Sequence, residues 1–322
     1  MKHEETIMVT GGNGMLGRAL RGVVAGLPAA AREFVFVDIE DADLCDEEAT
    51  EALFDRVRPT AVIHFAADVG GLYKNMAHGA EMFDNNIHMN MNIIRLCRKR
   101  SVRKLVSCLS TCIFPEQSLC PHIELPIDES MIHSGPPHPS NEAYAYAKRM
   151  LDVQSRYYRK EYGCNFICLA PTNIFGPNDN FSPEHSHVIP ALIRKCHDAQ
   201  LNGGDFVVWG SGRPLRQFVY SADLANLFMW AYENYDEAEP LILSPDEAAE
   251  VSIGTVAQHV ADAFGFSKPL RFDTKYSDGQ YQRTVTNRRL MSRNPSFRFT
   301  PLATAIGDTV AWFKAHHLEA RL

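Results

Sequence analysis

Four short apolar runs mark the first half of the chain: IMVT (7–10), FVFVD (34–38), AVIHFAA (61–67) and KLVSCLS (104–110). Helix-length stretches separate them. Runs that are apolar at nearly every position read as strands buried on both faces, and their alternation with helices marks a parallel sheet. Helices are expected over 47–57, 80–99 and 142–162, with a further strand, FICLAP, over 166–171. From about Gly176 the pattern loosens into loops rich in Pro, Asn and Gly, followed by a helix over 188–200. The predicted fold is therefore α/β: a Rossmann-like doubly wound parallel sheet with a smaller α/β substrate-binding domain. Residues 1–175 form the dinucleotide-binding part, and the amphipathic helix within 220–238, capped at Ser221, returns to it. Residues 176–219 and 239–322 form the smaller part. The late segments PLILS, VSIGTVAQHVADAFGF and FTPLATAIGDTVAWFKAHH read as architecture, the last entered through Pro301, with Phe228, Trp230 and Trp312 as core.

Composition changes this picture little and narrows the partners. A net charge of −7 over 322 residues argues against a nucleic-acid surface, which would be basic. No apolar run approaches the roughly 18 residues of a membrane span, and MKHEET leads directly into the first strand without a signal-type apolar region, so the cytoplasm is the expected compartment. The eight cysteines contain no C-x-x-C pair and fall in apolar stretches. Free thiols fit that better than disulfides or zinc, and no metal site is expected.

Candidate chemistry collects at the strand ends, where such sheets bind ligands. Gly11, Gly14 and Gly17, with Met15 and Leu16 between them, form a turn from strand to helix that lets a backbone approach a pyrophosphate. Asp38 ends the second strand; it suits ribose hydroxyls of NAD and would repel the extra phosphate of NADP, or it is a turn residue. Asp43 and Leu44 could lie along an adenine, and Ala66 and Ala67 leave room for a cofactor. Asn86 and Asn90 share a helix face; Asn90 could brace the active-site backbone, or the pair is solvated polarity. His64 reads as a satisfied core histidine. Tyr144 and Lys148 stand one helical turn apart, an arrangement in which an ammonium lowers the pKa of a phenol. With Ser110 they supply the parts for carbonyl reduction.

The glycine turn, the serine and the Y-x-x-x-K spacing resemble the extended short-chain dehydrogenase/reductase superfamily. Five further motifs, CLSTCIFP, PTNIFGPNDNF, HSHVIPALIRK, VVWGSGRPLRQF and SDGQ, resemble the branch that epimerises and reduces GDP-4-keto-6-deoxy-D-mannose, over nearly the whole chain. The resemblance implies catalytic roles for Ser110, Tyr144 and Lys148, with Cys112 as base and His187 as acid for epimerisation. A thiol near positive charge would reach a useful pKa for that. Asn173, Lys148 and His187 would lie beside the cofactor. Asn173, Lys195, Trp209, Arg216 and Arg283 would bind the GDP-sugar, Trp209 by stacking and the arginines through the diphosphate. The implied cofactor is NADP(H), although Asp38 and Asn13 leave NAD(H) open and Arg18 is the basic residue nearest the turn. The implied assembly is a homodimer through the helices over 80–99 and 142–162. The competing readings are a nucleotide-sugar 4-epimerase or dehydratase with tightly held NAD, and a non-catalytic dinucleotide-binding redox sensor.

Overall fold

The structure, a computed structural model, describes residues 5–26, 32–71, 77–182 and 186–321; His185 lies outside them. In chain order the first part runs β1 (Glu5–Thr10), α1 (Met15–Ala25), β2 (Arg32–Val37), α2 (Glu47–Val57), β3 (Ala61–His64), α3 (Gly79–Lys99), β4 (Lys104–Cys108), α4 (Glu142–Tyr162) and β5 (Phe166–Pro171). Then come β6 (Asn173–Phe175), α5 (Val188–Leu201), β7 (Val207–Trp209), β8 (Leu215–Arg216), β9 (Phe218–Tyr220), α6 (Ser221–Asn234) and β10 (Leu241–Leu243). The chain closes with β11 (Val251–Ser252), α7 (Ile253–Phe264), β12 (Arg271–Asp273), α8 (Arg288–Arg293) and α9 (Leu302–His316).

Six strands make one parallel sheet in the order β2-β1-β3-β4-β5-β10. The order reverses between β1 and β3, which opens a crevice at their carboxyl ends. Successive side chains of β1 point to opposite faces: Met8 joins the cluster under α2, α3 and α4, with Phe54, Ile93, Leu105 and Leu151. Ile7 and Val9 join the cluster under α1 and α6, with Ile63, Leu224 and Phe228. A third cluster, with Phe175, Ile193, Phe206, Val256, Ile306 and Phe313, fills the space among α5, α7 and α9.

Helices α2 and α4 and strand β5 fall at the predicted residues. The strands expected over 61–67 and 104–110 stop at His64 and Cys108, because the chain leaves the sheet there to line the crevice. Ser221 is the first residue of α6 and not its cap; Tyr220 caps it without a side-chain hydrogen bond. The Ser221 side chain instead packs against Gly176, where an added Cβ would meet its Oγ at 2.0 Å. The stretch 239–322 is divided. β10 pairs with β5 as the edge of the large sheet, and Leu290, Met291, Phe297 and Phe299 pack on the α1–α6 face. Phe228 is fully buried, while Trp230 and Trp312 are partly buried against two different clusters.

Candidate active site

The turn from β1 to α1 admits only glycine at two places. Gly11 has φ +67°, and a Cβ there would come within 2.9 Å of the Ala66 nitrogen; a Cβ on Gly17 would sit 2.4 Å from the Gly11 carbonyl oxygen. Gly14 begins α1 with no side-chain cap and no acidic residue in the first turn, which leaves its amides to an anion. Asp38 accepts the Asn13 N–H at 2.7 Å through Oδ2 and the Ile39 N–H at 2.9 Å through Oδ1. Its carboxylate therefore pins the glycine turn. Asp43 caps a turn as well, its Oδ1 accepting from Cys45 N–H at 2.9 Å, and it lies off the cavity wall, as does Gly17. Met15, Leu16, Leu44, Ala66 and Ala67 all line the cavity.

That cavity, about 1380 Å³, runs from the glycine turn past the ends of β4 and α4 to the α5–β7 face. Its volume exceeds that of an ordinary single-ligand pocket. In its wall stand Ser110, Tyr144, Lys148, Asn173, His187, Lys195, Trp209, Arg216 and Arg283. Side chains scattered over 174 positions of sequence thus meet in one space because each leaves a strand, a helix or a loop facing the same edge.

Lys148 donates to the Cys108 carbonyl at 2.9 Å, and its Nζ lies 5.7 Å from the centre of the Tyr144 ring. The phenol is not pulled down as the spacing predicts. Burial comes first and raises the Tyr144 pKa well above 10, assisted by the Cys112, Cys108 and Asp68 charges. Burial also lowers Lys148, so the two effects cost the pair its charged forms. The Cys112 thiol is likewise not lowered. It sits in the 3-10 turn Thr111–Ile113, buried behind Ser110 and off the cavity wall, and the Ser110 hydroxyl accepts its backbone N–H at 3.3 Å. Burial raises its thiol pKa, against the opposing pull of the Ser110 hydroxyl, Arg283, Lys148 and Arg149.

His187 caps the start of α5 with its ring open to the cavity. Burial first and the Arg321 charge second hold it below the usual imidazole value. Asn173 donates to the Gln217 carbonyl at 2.8 Å. The Lys195 Nζ lies 3.4 Å from the centre of the Trp209 ring, and burial lowers its pKa to about 8. Tyr276 stacks on the same indole at 4.2 Å and 9°. Both partners approach too closely to share one side, so the face expected for a base is covered twice and Tyr276 presents the outer aromatic surface. Arg216 donates to the carbonyls of Leu215 (2.7 Å), Gln280 (2.6 Å) and Tyr281 (3.2 Å). Burial brings it down to about 10. Its guanidinium anchors the 276–281 loop that forms part of the wall.

His64 is a core residue, between Thr10 Oγ1 at 2.7 Å and Asn90 Oδ1 at 3.1 Å. Asn86 is a brace and not solvated polarity: its side chain holds both the N–H and the carbonyl of Asp68. Sequence reasoning missed Tyr276, Asp179 and Arg321 in the wall; an aromatic directly before SDGQ and a carboxylate inside GPNDNF were the available signals. Among the described residues no group of three or more His, Cys, Asp or Glu is arranged to hold a metal ion, and no helix is long and apolar enough to cross a membrane.

A parallel sheet with a glycine turn at its reversal point, and a serine, tyrosine and lysine sharing one cavity with it, define a dinucleotide-binding protein of the epimerase and reductase type. A family model described as the NAD dependent epimerase/dehydratase family matches residues 7–244. GDP-L-fucose synthase of Dictyostelium discoideum is 47% identical over 318 residues, 99% of this chain and 98% of the relative. A probable GDP-L-fucose synthase of Drosophila melanogaster is 47% identical over 98% of this chain and 99% of its own. Among solved structures, a GDP-L-fucose synthetase from Naegleria fowleri bound to NADP superposes with a TM-score of 0.94 at 46% identity, covering 100% of this chain and 96% of that one. The chain belongs to the NAD dependent epimerase/dehydratase family, in its GDP-L-fucose synthase branch.

Proposed function

We propose that this protein converts GDP-4-keto-6-deoxy-D-mannose to GDP-L-fucose, inverting carbons 3 and 5 and then reducing carbon 4, with NADP(H) as cofactor. The observation that carries this is the single cavity, which joins the glycine turn to Ser110, Tyr144, Lys148 and His187 and then to Lys195, Arg216 and Arg283. The glycine turn, the uncapped start of α1 and the small Ala66 and Ala67 fit a dinucleotide. When bound, NADPH supplies the hydride for carbon 4. Asp38 holds the glycine turn through both oxygens, a task independent of the cofactor, and Arg18, in the same wall, is the cation for a ribose phosphate.

The 4-keto group makes the protons on its neighbouring carbons acidic, since the carbanion delocalises into an enolate. Cys112, which lies just behind Ser110 and must turn into the cavity to reach the sugar, takes such a proton from one face and His187 delivers one to the other. The base needs a thiolate, towards which Ser110, Arg283, Lys148 and Arg149 pull against burial. Ser110 orients the ketone. Tyr144, whose burial makes its phenol hold the proton firmly, gives that proton to the alkoxide that develops at carbon 4. Lys148, tied to the Cys108 carbonyl, holds the tyrosine and the ribose in register. Lys195, Arg216 and Arg283 face the diphosphate, and Tyr276, stacked on Trp209, the base.

Supplying GDP-4-keto-6-deoxymannose with NADPH, then NADH, and following absorbance at the nicotinamide band with the stereochemistry of the product tests this. Product retaining the original configuration at carbons 3 and 5 refutes it. In Cys112→Ser, proton exchange at those carbons is expected to collapse while dinucleotide binding persists; undiminished exchange removes Cys112 from the mechanism. We further infer a cytoplasmic homodimer paired through α3 and α4. These helices pack side by side, and α4 leaves Met150 and Tyr157 exposed at 41% and 59%. A monomeric mass in solution refutes the pairing.

A further inference from the structure

Around His187 the cavity wall carries polar atoms for which the fold supplies no partner. Asp179 is 3% exposed. Its Oδ1 accepts the Asn180 N–H at 2.7 Å, whereas Oδ2 is buried without a hydrogen bond. The hydroxyl of Ser186, the residue before His187, is buried in the same condition, and all three residues line the cavity. A buried carboxyl oxygen with nothing to meet it is costly to keep, so its presence asks for a task. The Phe181 N–H donates to the Arg321 carbonyl at 2.8 Å, which fastens this loop to the end of the described chain. Asp179, His187 and Arg321 all line the cavity, and the Arg321 charge acts on the other two alike. Burial, opposed by the Asn180 N–H and Arg321, pushes the Asp179 carboxyl up to about 7. Such a group both holds and releases a proton at neutral pH. Among the described residues Arg321 is the charged side chain that acts on Asp179; Glu319 and Lys195 share the cavity wall.

The reaction proposed above sets a proton problem at this place. Each inversion moves one proton from the sugar to Cys112 and one from His187 to the sugar. After the first inversion the imidazole is neutral and the thiol is protonated, yet the second carbon needs both in their starting states. We propose that Asp179 restores the proton of His187 between the two inversions. The carboxyl O–H breaks as its proton passes to the imidazole through the Ser186 hydroxyl and water in the cavity; the carboxylate then takes a proton from water, and the Cys112 thiol returns its own to water. No electrons move and the protons balance. Asp179 acts here through His187, and the inference rests on the epimerase reading of the site.

The test compares Asp179→Asn and Asp179→Glu with the wild type, supplying GDP-4-keto-6-deoxymannose and NADPH in deuterated water across pH. Products are separated by the number of inverted, deuterated carbons. In Asp179→Asn the second inversion is expected to slow roughly a hundredfold, the scale of a lost general acid–base relay. Singly inverted product then accumulates, and the pH limb near neutrality disappears. Asp179→Glu is expected to restore double inversion with that limb displaced. If Asp179→Asn binds NADPH and makes doubly inverted product in the wild-type ratio, with the limb unmoved, the proposal is overturned. If Asp179→Asn fails to fold, Asp179→Glu decides alone: a limb that stays in its wild-type place overturns the proposal, and a displaced one supports it. A wild type that inverts neither carbon is a different failure, which brings down the epimerase reading and this inference with it.

Discussion

Lowering the pH from 8 to 5 sets two buried groups of this fold against each other. His64 is fully buried between Thr10 and Asn90, and burial first, then the Lys148 charge, brings its pKa down to about 3. An unfolded histidine titrates near 6.5, so on acidification the unfolded chain takes up a proton that the native His64 refuses. Its contribution to stability is complete above about 6.5 and is lost as the pH falls, by about 2 kcal/mol at pH 5. Asp179 has the opposite sign. Its native pKa of about 7 stands above the roughly 3.9 of an unfolded aspartate, so the native state takes the proton first. Acidification to pH 5 then stabilises the fold by about 2.5 kcal/mol. In the wild type the two nearly cancel, and variants separate them. Urea unfolding at half-unit steps of pH is the assay, with stability read as midpoint times slope. Between pH 8 and 5, His64→Asn is expected to gain about 2 kcal/mol relative to the wild type and Asp179→Asn to lose about 2.5 kcal/mol, whatever their offsets at pH 8. Groups common to all three proteins drop out of these differences. A His64→Asn curve parallel to the wild type would mean that the native imidazole titrates as it does in water, and the reasoning from burial would be refuted.

Gly17→Ala drives a Cβ to within 2.4 Å of the Gly11 carbonyl oxygen and 2.6 Å of Gly12, all of it backbone. It is expected to cost about 1–3 kcal/mol and to abolish dinucleotide binding, checked by thermal melting and by NADPH titration. The depressed Lys195 pKa of about 8 means that its charge is present below that pH and lost above it. Affinity for GDP should therefore fall as pH rises through 8 by calorimetric titration, and Lys195→Arg should remove that fall. Arg18→Ala, on the cavity wall beside Asn13, is expected to raise the KM for NADPH roughly tenfold while leaving that for NADH unchanged; equal effects on both would take Arg18 away from the ribose phosphate.

Identity and order along the chain carried most of this site, and environment carried the rest. FICLAP is apolar at each position and can only be a strand buried on both faces. Gly11 and Gly17 declare a turn that tolerates no side chain, and the i, i+4 spacing of Tyr144 and Lys148 sets them on one helix face. Each of these is a local fact, and local facts survive folding. The readings of ionisation that changed concerned a balance between burial and charge. A lysine beside a tyrosine suggests a low phenol pKa only while water screens neither group's burial; within this wall desolvation outweighs the ammonium, and the same holds for the Cys112 thiol among its cations. Asp38 was incompletely read for another reason: its position at the end of β2 suits ribose, yet it also accepts the Asn13 and Ile39 amides, and no pattern in sequence shows that a carboxylate pins a turn. Asp179 was passed over because a single aspartate in a loop of Pro, Asn and Gly reads as a turn residue. Only the fold, by tying Phe181 to Arg321, turns it into a buried acid in the same cavity wall as the histidine.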